Sequence, residues 1–190
     1  MKTQLSGLSI LFSLSIALIL AGACSENDGI SGQLISNGNV ESGSGYPRSW
    51  WKNTGQGKYD VDWSDKVSYS PTKSLKISTQ VADTSAFALW GQTIAFNIPN
   101  GSAVRLSVKV KGNLTGDGVA IAMRGDNEEG SSEQFVTTQT SVPINGQFDW
   151  TEYTIKFDKV EAATKEIHVF LIFMSNTTGE VYFDDVSLTF

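Results

Sequence analysis

Cysteine, histidine and proline are scarce in this sequence of 190 residues, which has one Cys, one His and four Pro. The single Cys24 excludes an internal disulfide. With His168 as the only histidine, there is no Cys/His cluster for zinc or iron. No stretch shows convincing helical periodicity. A zinc domain, a disulfide scaffold and a helical bundle are therefore excluded.

Basic residues are also too few to balance the acidic ones. The chain has 14 Lys and Arg against 20 Asp and Glu, for a net charge of −6 and a pI near 4.7. This acidity argues against nucleic acid and against an anionic membrane surface as partners. It is compatible with neutral ligands and with a bound divalent cation.

The one long apolar run lies at the N-terminus, at 8–20. It follows Lys2, precedes "AGAC" and is short for a membrane span, so residues 1–23 are predicted to be a signal peptide. "LAGAC" resembles the lipobox of bacterial lipoproteins, which implies lipidation of Cys24 and a position at the outer membrane or cell surface. Polar residues 24–33 are then a flexible tether. The alternative is ordinary secretion after "AGA".

Beyond the tether, short apolar segments alternate with polar residues. "AVRLSVKVK" (103–111), "VAIAMR" (119–124) and "YTIKF" (153–157) have the period of two that is typical of half-buried strands. "KSLKIS", "FALWGQTI", "EQFVTT", "IHVFLIF" and "VYFDDVSLTF" complete the set, and Gly- and Asn-rich turns separate them. Nine or ten antiparallel strands predict one all-β domain at 34–190, a jelly-roll β-sandwich.

Five motifs occur in order: "LISNGNVESG", "YSPTKSLKIS", "LWGQTI", "DWTEYTIKF" and "VYFDDVSLTF". Together they resemble carbohydrate-binding modules of the family 4/9/22 type, which have the galactose-binding-domain-like jelly roll. The resemblance spans residues 34–190. It implies non-catalytic binding of a polysaccharide or oligosaccharide along one sheet, and glycan-degrading enzymes as possible partners.

The same resemblance implies a structural calcium where the first and last strands meet. Its ligands would be Glu41, Asp184 or Asp185, and backbone carbonyls near 70–73. Calcium prefers six to eight such oxygens, and a site shared by both chain ends stabilises only the folded state. Alternatively, one Asp is solvated at an edge and the other caps a turn.

Strand parity suggests where a glycan would bind. In "FALWGQTI", Trp90 and Gln92 lie on the face opposite Phe87 and Leu89. If the strictly apolar sets of the neighbouring strands pack inside, Arg124 and His168 point outwards with them. An aromatic ring can stack on a pyranose while amide and guanidinium groups bridge its hydroxyls. We therefore expect the site to contain Trp90, Gln92, Arg124 and His168, unless Trp90 is a core residue and His168 an internally satisfied one.

Other aromatic residues are assigned less specific roles. Trp150 is expected to be structural, and one of Trp50 and Trp51 to cover the end of the sandwich. Trp63 suits either a platform for sugar or packing, and is kept as a candidate binding residue. The carboxylates of "DVDWSD" do not match the pattern of jelly-roll glycosidases, so catalysis is not expected. The alternative function is a structural or protein-interaction lipoprotein with the same fold.

Overall fold

The computed structural model of the chain describes residues 32–95, 98–99 and 101–190. The predicted signal peptide, Cys24 and most of the predicted tether lie outside these ranges. The described part contains only strands and turns, and no helix there is long and apolar enough to cross a membrane. The strands are β1 (Trp51–Asn53), β2 (Asp60–Ser64), β3 (Ser74–Thr79), β4 (Ala88–Ala95), β5 (Val104–Asp126), β6 (Ser132–Thr137), β7 (Ile144–Phe157), β8 (Glu166–Phe173) and β9 (Thr178–Thr189).

The strands pair antiparallel in the order β1-β4-β8-β5-β9-β3-β2, with β6 and β7 also paired to β5. The long β5 takes part in two sheets. Its second half, 119–126, pairs with β8 and its end pairs with β6, which gives a first sheet β1-β4-β8-β5-β6. Its first half, 104–115, lies between β7 and β9 in a second sheet, β7-β5-β9-β3-β2. The result is the predicted jelly-roll β-sandwich.

Two glycines let β5 pass from one sheet to the other. Gly116 and Gly118 have φ of +103° and +79°, a region that residues with a Cβ rarely adopt. A Cβ on Gly116 would lie 2.0 Å from the carbonyl oxygen of Asn176, and one on Gly118 2.3 Å from that of Ile144. The sequence "GNLTGDG", expected to be a turn between two strands, is therefore a corner within one strand.

Alternation places the core between the sheets. In β8, Ile167, Val169, Leu171 and Phe173 are buried while the residues between them are half-buried. The same period orders the first half of β5. The predicted inward sets of β5 and β8 are therefore confirmed. Removing these apolar side chains from water is the main favourable term in folding.

The N-terminal segment joins the end of the chain. The N–H of Leu34 donates to the carbonyl of Leu188, and that of Val186 donates to the carbonyl of Gly38. Gln33 forms a single bridge with Thr189. Pairing to the domain thus begins one residue before the expected boundary at 34, and residues 33–38 lie beside β9.

Candidate functional site

A row of aromatic and small residues crosses the outer face of the first sheet. Trp51 lies opposite Gly91, Gly91 opposite Phe170, and Phe170 opposite Ala122 in adjacent strands. On the edge strand β6, Phe135 lies opposite Arg124 and is 57% exposed. We call this surface the aromatic face; its residues are Trp51, Thr93, Arg124, Phe135, His168 and Phe170.

The ring of Trp51 lies directly on the backbone of Gly91. A Cβ at Gly91 would stand 2.4 Å from Cζ2 of Trp51, closer than any real contact. The ring meets Phe170 edge-on, with 6.1 Å between centroids and 76° between planes. Trp51 remains 36% exposed. A flat ring fixed on the sheet with exposed surface is a preformed stacking platform.

Polar groups beside this platform are held by one buried carboxylate. Nε and Nη2 of Arg124 donate to Oδ1 and Oδ2 of Asp126 at 2.8 and 2.7 Å. Nε2 of His168 lies 3.1 Å from Oδ2 of Asp126, whose side chain is only 3% exposed. A bidentate pair of this kind is strong and fixes the guanidinium plane. Arg124 and His168 are thus oriented before any ligand arrives.

A hydroxyl fixes the other side of His168. Oγ1 of Thr93 lies 3.0 Å from Nδ1 of His168. A carboxylate can only accept, so a neutral imidazole carries its hydrogen on Nε2 towards Asp126, and Thr93 donates to Nδ1. The guanidinium carbon of Arg124 lies 5.6 Å from the Phe170 centroid, over the ring. The structure therefore brings Arg124 and His168 to one face, as expected, while their contact with a ligand stays a prediction.

"RGD" at 124–126 lies within this network. Because Arg124 donates two hydrogen bonds to Asp126 and both residues belong to β5, the motif is not presented on a loop.

The expectation that Trp90 and Gln92 face a ligand is wrong. The parity within β4 is as predicted, but the side of the sheet is reversed: Trp90 and Gln92 are buried, whereas Phe87 is exposed. Nε1 of Trp90 donates to the carbonyl of Lys76 at 3.1 Å. Its polar atom is satisfied internally, so the whole indole can fill core volume at little cost.

Gln92 has a structural partner instead of a ligand. Its Oε1 accepts from the N–H of Ser36 at 2.8 Å, and its Nε2 donates to the carbonyl of Ser36 at 2.9 Å. The side-chain amide of Gln92 thus pairs with the backbone of Ser36 in the way that a neighbouring strand would. A buried amide with both groups paired is stable, and sequence parity alone does not reveal such a partner.

Trp63 is not part of the aromatic face. It belongs to β2 in the second sheet and packs half-buried against the core. Its Nε1 donates to the carbonyl of Val40 at 2.7 Å, and Nζ of Lys73 lies 4.8 Å from its ring centroid. Of the two roles left open by the sequence, the structure favours packing.

Trp51, Phe135 and Phe170 were not among the binding residues expected from the sequence. Trp50, by contrast, is buried, and its Nε1 donates to the carbonyl of Asn37 at 3.0 Å. The segment "WWKN" could have indicated Trp51. In an extended segment two adjacent Trp side chains point to opposite faces, so one of them must face away from the core. The three-residue strand β1 was too short to be recognised.

The acidic pair of the last strand has two different roles. Asp184 is buried, and its Oδ2 accepts from the N–H groups of Tyr69 and Ser70 at 2.8 and 2.9 Å. Its Oδ1 accepts from the hydroxyl of Ser70 and from the N–H of Asp185. Asp185 is exposed at φ +44°, where β9 has two residues opposite Val108. The β-bulge is therefore formed by Asp185 and Val186, while Asp184, which precedes it, lies opposite Lys109 with its carboxylate beneath Tyr69 and Ser70.

Glu41 holds the same loop from the other chain end. Its Oε1 accepts from the N–H groups of Thr72 and Lys73 at 3.0 and 2.8 Å, and its Oε2 accepts from the Thr72 hydroxyl. Burial raises the pKa of Glu41, but the hydrogen bonds from Thr72 and Lys73 outweigh it, so the pKa lies below the ordinary glutamate value. For Asp184, burial is the larger influence and raises the pKa above its ordinary value, against the hydrogen bonds from Ser70, Asp185 and Tyr69.

This donor set does not fit the expected calcium ion. A calcium site needs carbonyl and carboxylate oxygens turned to one point. Here amide and hydroxyl hydrogens of 69–73 point at both oxygens of Glu41 and of Asp184. In the described ranges no three His, Cys, Asp or Glu side chains come close enough to hold a metal. We call Glu41, Asp184 and loop 69–73 the carboxylate clamp, and we do not propose a calcium ion there.

No family model matches the chain, and no curated protein matches it. Many solved structures do. The CBM61 module TmCBM61, solved with β-1,4-galactotriose, is 19% identical with a TM-score of 0.55, over 83% of this chain and 98% of that one. A cyclase from Fischerella sp. TAU is 13% identical with a TM-score of 0.62, over 83% and 96%.

The enzymatically active domain of bacteriophage CBA120 tailspike protein 4 also matches, at 15% identity and a TM-score of 0.64. The match covers 83% of this chain but only 21% of that one. Carbohydrate-binding modules of families 4, 22 and 16 are further matches. At these identities the likeness establishes the fold alone, which is the jelly roll shared by carbohydrate-binding modules and by some enzymes.

Proposed function

We propose that the protein binds a glycan, without cutting it, on the aromatic face. The observation that carries this proposal is the ring of Trp51, which is held against Gly91 while the residue remains 36% exposed. A pyranose can stack on such a ring. Arg124, held by Asp126, has further N–H groups that can donate to hydroxyls of the same sugar.

The structural neighbours support the same chemistry. TmCBM61 was solved with β-1,4-galactotriose, and the family 22 neighbour is described as a xylan-binding domain. Both are neutral sugar chains. On the aromatic face the Arg124 charge is compensated by Asp126 and Glu166 adds a negative charge near His168, so a neutral glycan suits it better than an anionic one.

Catalysis is the second possibility, because the cyclase and tailspike neighbours are enzymes. Glycoside hydrolysis needs two carboxylates that face the scissile bond. On the aromatic face, Asp126 is buried beneath Arg124 and His168, which leaves it no access to a substrate. Asp60 and Asp62 lie on the second sheet, and Asp60 is paired with Lys76 at 3.1 Å. These arrangements favour binding over hydrolysis.

A glycan array probed with residues 25–190 tests the proposal, and every described residue is included in that fragment. We expect binding to neutral β-linked chains, with no shortening of the bound oligosaccharide by mass spectrometry. If no glycan binds, the proposal is contradicted and the alternative of a protein-interaction lipoprotein is favoured. The exposed Phe87 and Phe135 offer apolar surface for such an interaction.

We also propose that the protein is anchored at a bacterial surface through a lipid on Cys24, as the lipobox-like "LAGAC" suggests. A Cys24→Ser variant should then move from the membrane fraction to the soluble fraction. Wild-type protein found in the soluble fraction would contradict the anchor and favour secretion.

A further inference from the structure

The outer face of the second sheet carries another pair of accessible aromatic rings. Tyr69, in the loop after β2, is 49% exposed and meets Trp150 of β7 edge-on, with 5.8 Å between centroids and 64° between planes. Nζ of Lys109 lies 5.1 Å from the Tyr69 centroid. The sequence indicated a structural role for Trp150. Tyr69, however, is too exposed to contribute to the core, so its position beside Trp150 calls for another explanation.

Two cavities on the same sheet are lined by residues that neighbour this pair. One has a volume of about 470 Å³ and is lined in part by Lys109 and Glu152, and the other has about 580 Å³ and is lined in part by Lys111 and Asp149. Lys109 and Lys111 point to the same side of β5, two residues apart, and Trp150 lies between Asp149 and Glu152 in the chain. The cavities therefore neighbour the aromatic pair, along one track across the sheet.

Two Lys side chains on the track are each paired with a carboxylate, and Asp185 and Glu180 add negative charge at the two cavities. Lys109 pairs with Glu152 at 3.4 Å, and Lys111 pairs with Asp149 at 2.8 Å. Charge-assisted donors and acceptors of this kind are strong partners for hydroxyl groups. Because each Lys has an acidic partner, no excess of positive charge is available to select an anion.

Side-chain amides add further donors and acceptors. Asn113 and Gln147 lie opposite each other at the second cavity, and both are exposed. At the first cavity, Oε1 of Gln33 accepts from the N–H groups of Ile35 and Leu188, which leaves its amide hydrogens for other partners. Two aromatic rings beside polar cavities of this size are suited to a chain of neutral sugar rings.

We propose that this track, here called the second groove, is an independent binding site for a neutral oligosaccharide. Its central residues are Tyr69, Trp150, Lys109 and Lys111. It shares no residue with the aromatic face and lies on the opposite sheet, so one protein molecule binds two glycan chains. The second groove extends the proposed function but does not require the aromatic face to bind.

The test uses residues 25–190 and titrates xylohexaose, cellohexaose and β-1,4-galactotriose in a calorimeter. Trp51→Ala should retain binding to at least one of these probes, since the second groove is intact. Adding Tyr69→Ala should then weaken that binding at least tenfold, whereas adding Tyr69→Phe, which keeps the ring, should not. Tyr69 holds Asp184 through its backbone N–H, so both Tyr69 variants preserve that contact, and their melting temperatures check the fold.

The outcomes separate the two sites. Loss of all binding in Trp51→Ala alone would overturn the second groove and leave the proposed function standing. Loss of all binding in Tyr69→Ala alone, with Trp51→Ala unaffected, would support the second groove and contradict the aromatic face. Undiminished binding in the double variant would contradict both, as would an unbound wild-type protein.

Discussion

The indole ring of Trp51 lies on the backbone of Gly91, in the space that a Cβ would occupy. This contact decides whether Trp51 is a flat platform or a mobile side chain. Gly91 is not among the residues with positive φ, so alanine can adopt its backbone conformation. The relationship can therefore be tested without disturbing the strand.

Gly91→Ala should move the Trp51 ring away from the sheet. Because β1 is an edge strand, the ring can swing outwards, and we expect a small change in stability. Glycan binding at the aromatic face should weaken by about tenfold, which corresponds to about 1.4 kcal/mol. Calorimetric titration and a melting curve on the same sample measure both effects. Unchanged affinity would mean that the ring position does not matter.

Trp90→Ala should destabilise the protein strongly. The ring is fully buried in the core and donates to the carbonyl of Lys76, so truncation leaves a large cavity and removes this hydrogen bond. Such changes cost about 3–5 kcal/mol. Urea unfolding measures the loss, and Phe87→Ala is the matched control because Phe87 is exposed near the start of the same strand. Equal stabilities would show that Trp90 is not a core residue.

Glu41 should make stability depend on acid pH. Its folded-state pKa lies below the ordinary value, so the unfolded chain binds the proton more readily. The carboxylate then contributes stability that is present above the ordinary pKa of about 4.3 and is lost as the pH falls through the folded value. The free energy of unfolding of the wild type should fall more steeply below that pH than that of Glu41→Gln.

Asp184 acts in the opposite direction. Its folded-state pKa is raised, so its own titration favours the folded state at low pH, and that contribution declines as the pH rises through the raised pKa. Asp184 is present in both the wild type and Glu41→Gln. Its contribution to the pH dependence of the free energy of unfolding therefore cancels, to first order, when the two proteins are compared. Identical pH profiles for the two proteins would contradict the role of Glu41 in the carboxylate clamp.

Calcium should leave the melting temperature unchanged. The carboxylates of the clamp already accept hydrogen bonds from loop 69–73, so a cation would have to displace them. Melting curves of metal-free protein in excess chelator and in excess calcium test this. A rise of several degrees, as expected from about 2.7 kcal/mol for an ion at a hundred times its dissociation constant, would instead support the site implied by the resemblance.

The fold could be predicted because it depends on a period of two that the sequence shows directly. The alternation in 103–111 and 167–173 gave the inward sets of β5 and β8, and Arg124 and His168 were placed outside for the same reason. In β4 the two faces were correctly separated, but their sides were exchanged. Both sets contain large apolar residues, so only the register with β8, where Trp90 lies opposite buried Leu171, decides which set is inside.

The remaining differences arise from contacts distant in sequence. The partner of Gln92 is Ser36, 56 residues away, and the loop held by Asp184 is 114 residues away. A motif such as "DD" identifies carboxylates that need partners, but it does not say whether those partners are a cation or amide N–H groups. Trp51 was missed because its role depends on Gly91 in another strand.

The most direct test of the central claim is Trp51→Ala, with Trp51→Tyr as the control that keeps a ring. Affinity is measured for a glycan that the array identifies and that binds at the aromatic face, and melting is measured in parallel. Trp51→Ala should lower that affinity by about 30-fold, the roughly 2 kcal/mol typical of a dominant aromatic contact, while Trp51→Tyr retains most of it and both melt close to wild type. Wild-type affinity in Trp51→Ala for every glycan bound would contradict the account.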